Sequence, residues 1–151
     1  MLEHAELTER IIGVFYEVYN DLGPGFLESV YANAMTITLR EAGLDVEQET
    51  PIPVYFRNSL VGDFRADIVV NGQVMCELKA ASAIGPVFEA QLLNYLRATP
   101  IEVGLLFNFG PKPEFKRLVF RNSRKTSAHI RGDPRQNTKS PPGNDDAKRS
   151  T

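Results

Sequence analysis

Apolar residues fall into two kinds of rhythm along the chain. Leu7, Ile11, Phe15, Val18 and Leu22 recur at helical spacing, so Glu6–Leu22 reads as an amphipathic helix that ends at Gly23-Pro24-Gly25. A second helix is predicted from Leu27 to Ala42, with Val30, Tyr31, Ala34, Met35 and Leu39 on its apolar side and Gly43 just past its end. The period then drops to two. Ile52–Phe56 is a short β-rich run between Pro51 and Arg57-Asn58-Ser59. Asp63–Val70 alternates, with Phe64, Ala66, Ile68 and Val70 on one face and Asp63, Arg65, Asp67 and Val69 on the other. Asn71-Gly72 marks a hairpin, after which Gln73–Ala80 sets Val74, Cys76 and Leu78 against Met75, Glu77 and Lys79. Gly85-Pro86 opens a third helix to Arg97, Val103–Phe109 is an apolar strand, and Phe115–Phe120 a short final one. The predicted order is α-α-β-β-β-α-β-β, an α/β (α+β) mixed sheet with helices packed on it. No internal repeat is apparent.

Composition divides the chain. With 151 residues, 42% hydrophobic and 24% charged, it is an ordinary globular protein, neither collagen-like nor wholly disordered. From Arg121 to Thr151, however, the apolar set is only Ala128, Ile130 and Ala147, amid Pro, Gly, Ser, Asn and eight basic residues against three acidic. Such a segment cannot bury enough surface to offset chain entropy, so 121–151 reads as a disordered basic tail and 1–120 as the folding unit. The tail carries +5 and the folding unit −7, within an overall −2. A basic tail can make salt-sensitive contacts with nucleic acid, but a solvated extension is the favoured reading.

No apolar run approaches the ~20 residues that span a bilayer, and Glu3, Glu6 and Glu9 deny the N-terminus a secretory signal, so no membrane association is expected. One cysteine, Cys76, and two histidines, His4 and His129, supply neither a disulfide nor a zinc site. A reducing, cytoplasmic setting is the expectation.

The chemistry sits where charge interrupts apolar strands. Asp67 stands in Ala66-Asp67-Ile68-Val69-Val70, and Glu77 and Lys79 share a face in Met75-Cys76-Glu77-Leu78-Lys79. Half-buried charge is costly unless paired or metal-bound. Two carboxylates with a lysine suit a divalent-metal phosphodiesterase, in which hard oxygens hold the cation and the lysine meets developing negative charge. Spacing alone leaves a cross-strand salt bridge equally open.

The motifs go further together. Gly25-Phe26-Leu27-Glu28-Ser29-Val30-Tyr31, Phe64-Arg65-Ala66-Asp67, Glu77-Leu78-Lys79-Ala80, Glu89 to Leu96, and Gly104 to Phe109 resemble, in order and spacing, the GxxExxY protein family of the PD-(D/E)XK nuclease superfamily. The resemblance runs from Leu7 to Phe120. Ala66 stands where the superfamily usually has proline. The resemblance implies a restriction-endonuclease-like core and a Mg²⁺- or Mn²⁺-dependent nuclease acting on DNA or RNA. It implies that Glu28, Asp67 and Glu77 hold the metal, with the Leu78 carbonyl as a further ligand. Lys79 would orient water or stabilise the transition state. Gln91 and Tyr95, four apart on one helix face, would point at the site or the substrate. Taken singly, Glu28 suits a helix N-terminus, Gln91 a helix surface, and Tyr95 a core; Tyr31 is expected to pack on the sheet and steer Glu28. A −7 unit offers no basic stripe, so a protein partner or a homodimer could supply positive surface, and a catalytically weak or silent binding module is the alternative.

Such a site constrains the hairpin. A two-residue Asn71-Gly72 turn would oppose Asp67 to Cys76 and turn its carboxylate away from Glu77. A three-residue loop of Val70-Asn71-Gly72 would set Asp67 opposite Met75, and one of Asn71-Gly72-Gln73 would set it opposite Glu77. The odd register, with Gly72 left-handed and the three carboxylates converging, is therefore expected.

Overall fold

The computed structural model describes residues 4–125. Its elements are α1 (Ala5–Leu22), α2 (Glu28–Glu41), β1 (Val46–Phe56), β2 (Ser59–Val70), β3 (Val74–Lys79), α3 (Pro86–Arg97), β4 (Val103–Phe109) and β5 (Pro113–Val119), followed by a short 3₁₀ turn at Asn122–Arg124. The order is the expected one. The strands form a single sheet, β1-β2-β3-β4-β5, antiparallel except where β3 and β4 run parallel. That parallel pair needs a crossover, and α3 supplies it. This mixed α/β architecture matches a PD-(D/E)XK-type core. Among the described residues no helix is long and apolar enough to cross a membrane.

Helices cover both faces of the sheet. On one, α1 and α2 bury Ile11, Phe15, Tyr31, Met35 and Leu39 against Ile68, Cys76, Leu78, Leu105 and Phe107. Aromatic rings organise this layer: Phe15 stacks on Phe107 at 4.5 Å and Tyr31 on Phe109 at 4.1 Å between centroids. On the other face α3 lays Leu92, Tyr95 and Leu96 over Ile52, Ala66, Val69, Met75 and Leu106. β3 and β4, flanked by strands on both sides, are buried almost throughout.

Three expectations need correction. β1 begins at Val46, six residues before the predicted Ile52. Glu47, Gln48, Glu49 and Pro51 mask it, because an edge strand tolerates polar residues and proline that a central strand rejects. The strict alternation of β2 also fails. Ala66 packs under α3, whereas Ile68 and Val70 pack under α1 and α2. The switch falls at Asp67, where the β1–β2 ladder passes from Thr50↔Ala66 to Gln48↔Ile68 without pairing Glu49, which is left-handed at φ 55°. Finally, the folded unit does not stop at 120. Asn122 donates its backbone N–H to Glu102 Oε2 (2.6 Å), and buried Lys125 donates through Nζ to the carbonyls of Thr99 (2.7 Å) and Ile101 (2.8 Å). The rest of the expected tail, 126–151, lies outside the described residues.

Asn108 makes a two-point hold on the loop between β3 and α3. Asn108, buried in β4, accepts from the Ala81 N–H (2.9 Å) and donates to the Ala81 carbonyl (3.0 Å). Replacing it by leucine leaves both backbone groups without their partner. We expect Asn108→Leu to lose about 1–3 kcal/mol in urea denaturation.

Candidate active site

The β2–β3 hairpin decides whether a site can exist. Its ladder pairs Val70↔Val74, Val69↔Met75 and Ile68↔Cys76, leaving Asn71, Gly72 and Gln73 as a three-residue loop. Asn71 and Gly72 are both left-handed, at φ 53° and 64°, a backbone that asparagine and glycine tolerate best. The next opposed pair is therefore Asp67 and Glu77, in the odd register.

At that pair the backbone ladder ends and side chains take over. The Asp67 N–H donates to Glu77 Oε2 (2.9 Å), and the Leu78 N–H donates to Asp67 Oδ2 (2.8 Å). Each carboxylate thus accepts a backbone N–H from the opposite strand. Glu77 is only 4% exposed. Burial is the main cause that pushes its pKa up from 4.5 to about 8, with the Asp67 charge adding to it; the Asp67 N–H and Lys79 pull the other way. Asp67 is raised as well, first by burial and further by Glu28 and Glu49, against the Leu78 N–H and Lys79. Two N–H donors and one ammonium therefore leave the pair short of positive charge.

Other predicted residues surround it. Glu28, the first residue of α2, is exposed and accepts from the Ala80 N–H at the end of β3 (3.4 Å). Tyr31 holds the turn before α2: its hydroxyl donates to the Gly23 carbonyl (2.6 Å) and accepts from the Phe26 N–H (3.2 Å). Lys79 donates to Gln91 Oε1 (3.4 Å) and lies 4.9 Å from the Phe88 ring centroid. Tyr95, one turn beyond Gln91, is buried, and its phenol is raised first by burial and then by the charges of Glu77 and Asp67. The thiol of buried Cys76 is pushed up too, as suits an inert core residue.

The expected convergence of three carboxylates is not formed. Among the described residues no three His, Cys, Asp or Glu side chains are grouped to hold a metal ion, and Glu28 accepts from Ala80 instead. Asp67 and Glu77 do come together, and two hard, desolvated, under-compensated carboxylates suit a divalent cation chemically. Sequence reading missed Glu49, inside the unrecognised half of β1, and Asn108, whose signal was an amide in the apolar run Val-Gly-Leu-Leu-Phe-Asn-Phe.

The profile of the PD-(D/E)XK nuclease superfamily matches residues 5–118. The chain belongs to that superfamily. As a superfamily member it carries the acidic pair and lysine on adjacent central strands, with Ala66 before Asp67. No curated protein matches it. The crystal structure of SSO0001 is similar at a TM-score of 0.49 and 17% identity, over 62% of this chain and 50% of that one, so the chain spans about half that structure's length.

The raised Glu77 fixes a pH dependence. Between about 4.5 and 8 the folded protein keeps a proton that the unfolded chain has released. In EDTA, stability should therefore fall as pH rises through this window. Glu77→Gln, which keeps an acceptor for the Asp67 N–H, should flatten the slope and equal or exceed wild type at pH 8 by roughly 1–3 kcal/mol in urea titrations.

Proposed function

We propose that the protein is a Mg²⁺- or Mn²⁺-dependent nuclease that hydrolyses phosphodiester bonds of DNA or RNA. The observation that carries this reading is the opposed Asp67–Glu77 pair, short of positive charge, with Lys79 on the same edge held toward α3 by Gln91. Asp67 and Glu77 would hold the cation with Glu28, once its carboxylate leaves Ala80, and with the Leu78 carbonyl. The cation would supply Lewis-acid polarisation of the phosphate and a more acidic water. Lys79 presents a positive charge where the phosphorane would become more negative. Gln91 fixes the lysine, and Tyr31 fixes the turn that delivers Glu28. The finer placement in the GxxExxY family rests on Gly25, Glu28 and Tyr31.

The engagement of Asp67 Oδ2 and Glu77 Oε2 by backbone N–H groups favours a second reading, in which the fold is kept as a catalytically silent binding module. Labelled DNA and RNA oligonucleotides incubated with Mg²⁺ or Mn²⁺ separate the two. We expect cleavage by wild type, and losses of at least about 100-fold in Asp67→Asn, Glu77→Gln and Lys79→Ala with unchanged circular dichroism. Full activity in Glu77→Gln would end the nuclease reading, and oligonucleotide binding without cleavage would favour the silent module.

A further inference from the structure

Next to the acidic pair, on the α3 face, the surface opens into a groove of about 530 Å³. That lies within the ~300–1,000 Å³ range of small-molecule sites. One wall is a single stripe of α3: Val87, Gln91, Asn94 and Tyr95, at helical spacing. The other wall is Val54 of β1 and Phe64 of β2. Phe64 and Val87, both lining the groove, remain 44% and 76% exposed.

The aromatic wall packs on its neighbours. The Phe64 ring folds back along β2 over Gly62, where an added Cβ would lie 2.7 Å from Phe64 Cε2. A larger residue at 62 would push the free end of that ring aside. The ring also sits 5.6 Å from that of Tyr95, tilted by 38°. The groove meets the acidic edge through Gln91, which Lys79 contacts. Gln91 both lines it and accepts from Lys79, and Tyr95 both lines it and feels the charges of Glu77 and Asp67. Exposed Asn94 adds an amide able to donate and accept at its edge.

Flat apolar walls with an amide edge match a nucleobase, which offers a π-face and a hydrogen-bonding edge. Resting on the nuclease reading, we propose that this groove takes one unstacked base of a single-stranded nucleic acid whose adjoining phosphate lies at Asp67 and Glu77. The occupant explains why the apolar cleft stays open beside the acidic pair. It also makes single strands and frayed ends the substrate class, since a base in an intact duplex must be extruded to enter.

The test is binding of the full chain to a short labelled single-stranded DNA, followed by fluorescence anisotropy in Ca²⁺ with gels to monitor integrity. The companions are the same strand with abasic sites and its intact duplex. Base removal and Phe64→Ala should each raise Kd by roughly five- to hundredfold, and the two losses should not add. Val87→Asp, at an exposed position that leaves the core untouched, should weaken binding similarly, and the duplex should bind less tightly than the single strand. A Kd indifferent to base removal and to both variants would overturn the subsite, as would a duplex that binds as tightly as the single strand. Base-dependent binding by a wild type that cuts nothing in Mg²⁺ would support the subsite while removing the nuclease reading. Cleavage with base-independent binding would do the reverse.

Discussion

β2 and β3 stop exchanging backbone hydrogen bonds at Ile68 and Cys76, and the next opposed residues exchange side-chain bonds instead. This substitution is the constraint on which the rest depends. It holds the two strand ends in register while spending one oxygen of each carboxylate on a backbone N–H. It also buries two carboxylates in a partly dry environment, which is the main reason both pKa values rise, and the Asp67 charge raises Glu77 further. A cation at this edge would relieve a repulsion that the fold otherwise has to tolerate.

The surrounding elements keep that edge in place. α1 and α2 back one face of the sheet through the stack of Phe15, Phe107, Phe109 and Tyr31, and Tyr31 ties the core to the turn that carries Glu28. α3 backs the other face and brings Gln91 to Lys79. Asn108 fastens the segment that leaves β3, so the chain departs from Lys79 in a fixed direction before α3 begins. The site is therefore assembled from central strands and two helix faces.

Much of this was legible in the sequence. The helices announced themselves by period, by Gly23-Pro24-Gly25 and by Gly85-Pro86, and the odd hairpin register followed from requiring Asp67 and Glu77 to share a face. What could not be read has physical reasons. The first half of β1 is polar because it lies at the sheet edge. The face change in β2 lies across the ladder from left-handed Glu49, where pairing between strands is interrupted, and no local pattern in β2 marks it. Glu28 was placed near the pair, but its bond to Ala80 depends on how α2 docks beside β3. Lys125 lies within a compositionally disordered segment, yet two carbonyls in the α3–β4 connection are within its reach.

Calorimetric titration of the full chain with Mn²⁺ at neutral pH, against Asp67→Asn and Glu77→Gln, tests the central claim that the acidic pair is a cation site. The account predicts saturable binding by wild type that disappears in both variants while circular dichroism is unchanged. Equal binding by wild type and both variants, or no binding by wild type, would contradict it.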